Sequence, residues 1–123
     1  MLGIGTDIVE VERIASSVER FGERFLARIL RPDEIAYCQS YRHAAPHIAA
    51  RFAAKEAISK AFGTGIGERL GWQDMEIRRK ESGEPQVLLH DGGLELLAQR
   101  GAKRVLISLS HTRIYATAVA VLE

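Results

Sequence analysis

Two carboxylates, one amine and a run of glycines are the residues of this sequence whose types and order suit chemistry on a phosphate. Ala54, Ala57, Ile58, Ala61 and Phe62 fall on one side of an alanine-rich helical stretch, which sets Glu56 and Lys60 one turn apart off that side. An exposed Glu–Lys pair worth ~0.3–0.5 kcal/mol satisfies the same spacing. Behind the stretch, Gly63-Thr64-Gly65-Ile66-Gly67 can adopt positive φ and turn several backbone N–H groups toward an anion, or can serve as a helix C-cap and loop. An anion there would face the negative end of the helix dipole, so Lys60 would have to compensate.

Asp7 supplies the second carboxylate. Asp7 and Glu56 are hard oxygen donors, and Mg²⁺ is commonly held by one or two carboxylates together with waters and substrate phosphates. From its position alone, Asp7 serves equally as a helix N-cap or turn residue, because helical periodicity begins a few residues later. Ser108-Leu109-Ser110-His111 runs into a hairpin tip, where a histidine stands on a rigid scaffold close to solvent. A serine-hydrolase reading of that segment lacks both a nucleophile-elbow context and a marked acid partner, and a surface turn histidine fits it better. Arg20, Arg24 and Arg28, four apart, with Arg13 ahead of them, form either a basic stripe for an acidic protein partner or a solvated face.

The elements that must position these groups read in order. Leu2, Ile4, Thr6 and Ile8 share one face of an opening strand and Gly3, Gly5 and Asp7 the other, where the glycines leave room for close approach to the backbone. Val11, Ile14, Ala15 and Val18 recur at helical spacing, and Phe21, Phe25 and Ile29 continue it with a weak point at Gly22. Pro32 opens another helix carrying Ile35 and Cys38; Pro46 and Gly63 bracket the alanine-rich helix over His47 to Phe62. From Trp72 the period turns to two, with Met75 and Ile77, a turn at Ser82-Gly83-Glu84-Pro85 and a returning Val87-Leu88-Leu89. Leu94, Leu97 and Ala98 mark the apolar side of a short helix stopped by Gly101, and Val105 to Ser110 and Tyr115 to Leu122 read as two final strands. This order predicts an α+β domain spanning residues 1–123, with N-terminal helices packed on a mostly antiparallel sheet.

Composition narrows the partners. Lys and Arg total 17 against 16 Asp and Glu, a net charge of +1 that lacks the footprint of a nucleic-acid binder, so a charge-guided partner needs a local patch. Cys38 is the one cysteine and has no internal disulfide partner, which suits a reduced cytoplasm. The Met1 to Asp7 stretch has no basic n-region, and no apolar run approaches the ~18 residues of a membrane span, so a soluble protein is expected.

Taken in order, Gly3-Ile4-Gly5-Thr6-Asp7-Ile8, then Arg51-Phe52-Ala53-Ala54-Lys55-Glu56-Ala57 through Ser59-Lys60-Ala61-Phe62-Gly63-Thr64-Gly65, then Ser108-Leu109-Ser110-His111 resemble the holo-acyl-carrier-protein synthases, the short bacterial 4′-phosphopantetheinyl transferases. The resemblance runs almost end to end. It implies attack of a carrier-protein serine on the pyrophosphate of coenzyme A, giving holo carrier protein and adenosine 3′,5′-bisphosphate in fatty acid biosynthesis. It further implies Asp7 and Glu56 as Mg²⁺ ligands, Lys60 as their catalytic companion, and coenzyme contacts from Arg51, Lys60, Gly63, Thr64, Gly65, His111 and Thr112. Also implied are docking of an acidic acyl carrier protein on Arg13, Arg20, Arg24 and Arg28, and a homotrimer with Val119 and Val121 near a subunit contact. Whether the serine proton passes to Glu56 or to a metal-bound water stays open. Two rivals use the same residues: a small phosphohydrolase that directs water at a phosphate ester, and a binding module for which Asp7, Glu56 and Lys60 are dispensable.

Overall fold

Glycine and alanine on alternate positions of two strands make a seat for one helix. In the computed structural model, which describes residues 1–123, strand β1 (Gly3–Glu10) leads into helices α1 (Val11–Phe21), α2 (Glu23–Ile29), α3 (Pro32–Gln39) and α4 (Ala45–Phe62). A 3₁₀ turn at Trp72–Asp74 precedes the hairpin β2 (Met75–Arg79) and β3 (Pro85–Leu89), then α5 (Gly92–Gln99), β4 (Val105–His111) and β5 (Tyr115–Leu122). The sheet order is β1-β5-β4 with β2-β3 apart, and every pairing is antiparallel, in keeping with the expected α+β architecture.

On the inner face of the three-stranded sheet, Gly5 pairs with Ala120 and Asp7 with Ala118, and the buried Ala116, Ala118 and Ala120 carry little bulk. The alanines of α4 (Ala53, Ala54, Ala57, Ala61) settle into that shallow surface. The fit is tight: a Cβ built on Gly3 or Gly5 would overlap the carbonyl oxygen of Ala61 or Ala57. The partner that the glycine face of β1 admits is therefore α4 itself. The apolar face of β1 turns the other way, leaving Ile4 and Ile8 61% and 63% exposed, together with Leu106, Tyr115 and Val119.

The remaining helices follow their punctuation. Gly22 sits at φ +58° and separates α1 from α2, and Pro32 opens α3, where the Glu34 carboxylate accepts the Arg31 N–H. Helix α4 begins at Ala45, slightly ahead of the expected start, and ends on Gly63 at φ +79°. Helix α5 is rotated from the expectation: Leu96 and Gly93 are buried and Leu94 is 54% exposed, because α5 turns that side toward β3 and the 3₁₀ turn. No helix is long and apolar enough to cross a membrane.

A second face of α4, polar by sequence, is also buried, since α3 and β2 cover it. The Lys55 ammonium donates to Ile29 O at 2.7 Å, Glu34 Oε1 at 2.8 Å and Trp72 O at 3.1 Å, filling its three donor positions. Glu34 in turn accepts Ile77 N–H at 2.9 Å. Gln73 adds Nε2 bonds to Ala27 O and Leu30 O, so the C-terminal end of α2 is held by an ammonium and an amide together. Lys55→Met leaves a buried carboxylate without its cation and is expected to lower stability by ~3–5 kcal/mol. A urea midpoint equal to the parent's would contradict that role for the pair.

Candidate active site

Strand alternation puts Asp7 on the glycine face of β1, and α4 lies on that face, so Asp7 and Glu56 meet across the seam. Both line one open cavity of about 370 Å³ with Arg13 and Ser17 of α1, Phe25 of α2 and Phe52 of α4. Asp7 is a mid-strand residue, and the N-cap of α1 is Glu10, which excludes the capping role. Lys60 does not pair along its own helix with Glu56. Its ammonium crosses to β1, donating to Asp7 Oδ1 at 3.1 Å and Thr6 O at 3.0 Å, because the glycine seam brings the strand within reach.

Electrostatics mark Glu56 as the tense member. Burial raises its pKa most and the Asp7 charge raises it further, with Lys60 opposing. Two carboxylates turned into one cavity, one of them disfavoured as an anion, are a donor set suited to a hard divalent cation. No group of three or more His, Cys, Asp or Glu side chains gathers in the structure, so such an ion would draw its other ligands from water and substrate oxygens, as Mg²⁺ does.

The glycine run behaves differently from the anion nest. Gly63 N–H donates to Lys60 O, Thr64 and Gly65 N–H both to Ser59 O, and Gly67 N–H to Leu70 O, at 3.0–3.2 Å. The first three amides turn back to satisfy carbonyls at the end of α4, which is the helix-cap alternative, and the Gly67 amide closes the loop beyond it. Thr64 Oγ1 donates to Gly65 O at 2.8 Å. Arg100, which no sequence pattern singled out, fastens the same corner by donating to Phe62 O and Leu2 O, each at 2.8 Å.

The other candidates fall in two further places. Arg51 is 2% exposed, its Nε has no hydrogen-bond partner, and its guanidinium lies 4.1 Å over the Tyr37 ring. It lines a separate cavity of about 360 Å³ with Tyr37, Arg78 and Arg79. His111 ends β4 with its ring edge-on to His47 at 5.3 Å, and the Thr112 hydroxyl accepts the Ile114 and Tyr115 N–H groups to fold the hairpin tip. Ser108 and Ser110 alternate onto the outer sheet face with exposed Leu106, opposite to His111, so no Ser–His pair forms. Of the arginine stripe, Arg13 borders the Asp7–Glu56 cavity, and Arg24 and Arg28 line an adjoining one that shares Ser17 and Phe25 with it. Arg20 lines neither, its guanidinium resting 5.2 Å over the Phe21 ring.

Sequence reasoning missed Phe25 and Phe52 as walls of the carboxylate cavity, and missed Tyr37, Tyr41 and His47. The signal available for the last three was the i, i+4 spacing of Tyr37 with Tyr41 and of His47 with Arg51.

The site thus joins one carboxylate from a strand and one from a helix, with a lysine one turn on and arginines around a neighbouring groove. The profile of the 4′-phosphopantetheinyl transferase superfamily covers residues 3–120, and the chain belongs to that family. Within it, the chain is 49% identical over 123 residues to the holo-[acyl-carrier-protein] synthase of Koribacter versatilis, covering 100% of this chain and 98% of that one. It is similar to the Helicobacter pylori holo-[acyl-carrier-protein] synthase solved in complex with coenzyme A, with a TM-score of 0.87, 37% identity and coverage of 98% and 99% of the two chains. The enzyme of the same name from Neisseria meningitidis gives a TM-score of 0.93 at 35% identity, over 100% of this chain and 98% of that one.

Proposed function

We propose that this chain, acting as one domain, transfers the 4′-phosphopantetheine group from coenzyme A to a serine of an apo acyl carrier protein. The serine hydroxyl attacks the pantetheine-bearing phosphorus, the pyrophosphate P–O bond breaks, and adenosine 3′,5′-bisphosphate leaves, as fatty acid biosynthesis requires. The observation that carries this reading is the meeting of Asp7 and Glu56 in one cavity beside Lys60.

Asp7 and Glu56 would hold Mg²⁺, which when bound neutralises charge on the transferring and leaving phosphates. Lys60, half exposed and anchored on Asp7, stabilises or protonates the departing phosphate. Glu56, which opens onto the same cavity, takes the serine proton directly or through a water it orients. Arg51 and His111 bind the remaining phosphates of the coenzyme; the unpartnered Arg51 Nε, buried beside Tyr37, supports that assignment. With the amides of Gly63 and Gly65 turned inward, the loop contributes its surface and the Thr64 hydroxyl, and Thr112 shapes the tip beside His111.

Arg13, Arg24 and Arg28 around the Phe25-lined groove receive the acidic carrier, with Arg20 extending the stripe beyond it. Arg24→Glu is expected to raise the carrier KM about tenfold while kcat at saturation holds, since it reverses a docking charge that lines the adjoining groove and not the carboxylate cavity. A fall in kcat at unchanged KM would place Arg24 in the chemical step instead. The exposed apolar rows around Ile4, Ile8, Leu106, Tyr115 and Val119 support assembly as a homotrimer through the outer sheet face. The lone Cys38, buried and with its thiol pKa raised to about 11, fits work in the cytoplasm.

The deciding experiment incubates the protein with coenzyme A, Mg²⁺ and apo acyl carrier protein and weighs the carrier. Gain of a phosphopantetheine mass is the expected result. Hydrolysed coenzyme A beside a carrier of constant mass would instead establish the phosphohydrolase.

A further inference from the structure

Arg51 and His111 belong to different elements, one mid-helix and one at a strand end, yet a single aromatic cluster connects them. Tyr37 and Tyr41 stand one turn apart at α3 and just beyond it, with their hydroxyls 2.9 Å apart and their rings edge-to-face at 5.3 Å. The His47 ring lies stacked on Tyr41, centroids 3.7 Å apart and planes 17° apart, and meets Tyr37 edge-on at 6.2 Å. On its other side His47 meets the His111 ring at 5.3 Å and 70°. At the far end Arg51 lies over the Tyr37 ring at 4.1 Å and Arg79 over the same ring at 5.9 Å.

We propose that His47 is a positioning residue for coenzyme binding, the ring that keeps His111 and the Tyr37–Arg51 pair in one frame so that both can meet the phosphates of one nucleotide. This rests on the assignment of Arg51 and His111 to the coenzyme. Three features support the role. Arg51 has no hydrogen bond at Nε, so the Tyr37 face fixes where its guanidinium points. His47 and Arg51 are one turn apart on the buried helix α4, so the frame is rigid at its centre. Lastly, burial first, then the charges of His111, Arg51 and Arg79, push the His47 pKa below its usual value, which keeps the ring neutral between cations. The groups facing His47 are thus Tyr37 from α3, Tyr41 just beyond it, Arg51 from α4, Arg79 from β2 and His111 from β4. A neutral aromatic ring serves there by shape.

The test varies coenzyme A at saturating carrier for the parent, His47→Ala and His47→Phe, and titrates adenosine 3′,5′-bisphosphate into each by calorimetry. His47→Ala is expected to raise the coenzyme KM and the bisphosphate Kd about tenfold, with kcat within about twofold of the parent, because the ring contacts to Tyr41, Tyr37 and His111 are lost and the reacting groups are untouched. His47→Phe should restore both constants to within about threefold, since it keeps the ring without the imidazole nitrogens. His47→Gln, polar but ringless, replaces the alanine variant if that one melts early. An unchanged coenzyme KM in the ringless variants, a kcat loss at constant KM, or a phenylalanine variant that melts normally yet behaves like alanine would each overturn the proposal. Arg51→Ala and His111→Ala complete the set. If neither moves the coenzyme KM, the assignment of those residues fails; if both do and His47→Ala does not, only the role of His47 fails.

Discussion

Glu56→Gln is expected to lower kcat by at least ~10³-fold, because on the proposed mechanism it removes a cation ligand and a proton acceptor together. Carrier binding should survive, since Arg24 and Arg28 lie in the adjoining groove and keep their charges. The same variant should be more stable than its parent at neutral pH without divalent cations. The folded-state pKa of Glu56 is raised by burial and then by Asp7, so its ionised form costs stability above that pKa, and the cost is relieved as pH falls through it. Glutamine removes the charge and with it the cost. Adding Mg²⁺ should reverse the order: at 100 times its Kd a ligand stabilises by about 2.7 kcal/mol, a gain open to the parent and curtailed in the variant. Melting curves with and without Mg²⁺, beside turnover measured by carrier mass, check both halves. Equal turnover in Glu56→Gln would remove that side chain from the reaction.

Gly5→Ala is expected to be the most damaging small substitution. Its Cβ would overlap Ala57 O and stand 2.7 Å from Ala61 N and 2.9 Å from Lys60 Cβ, mostly backbone atoms that cannot rotate aside. β1 and α4 must then part, at a cost of about 3 kcal/mol. Asp7 lies two residues along the strand and Glu56 next to Ala57, so the parting also separates the carboxylates, and a displacement near 1 Å carries ~10²-fold in rate. Gly67→Ala is the control, as nothing lies within 4 Å of its added Cβ. If Gly5→Ala matches Gly67→Ala in urea midpoint and kcat, the strand–helix seam does not set the site.

Local chemistry made much of this architecture readable. Pro46 and Gly63 bracketed α4 to within two residues, and the two glycines beside Asp7 announced a close neighbour. That the neighbour is α4 depends on a contact between residues far apart in the chain, which no period encodes. The polar face of α4 misled for a related reason: Lys55 looks solvated until Glu34, from another helix, is brought against it. Arg51 is hidden in the same way, beneath Tyr37. The loop after Phe62 shows a different limit. Glycines that allow positive φ serve an anion nest and a helix cap equally, and only the direction of the Gly63, Thr64 and Gly65 N–H groups separates the two. Along α5, Leu94 and Leu97 offered a plausible apolar side, but the face turned inward carries Gly93 and Leu96, because a small residue lets that side approach β3.

The short helix α2 carries Arg24 and Arg28, begins at a left-handed glycine and is fixed at its far end by Lys55 and Gln73. Neither anchor borrows an atom from Asp7 or Glu56. Phe25 of the same helix nevertheless walls the Asp7–Glu56 cavity. Under the proposed docking role, a lineage meeting a new carrier could therefore vary the outward arginines of α2 while Phe25 and the buried Leu26 and Ile29 stay fixed to keep the reaction centre in shape.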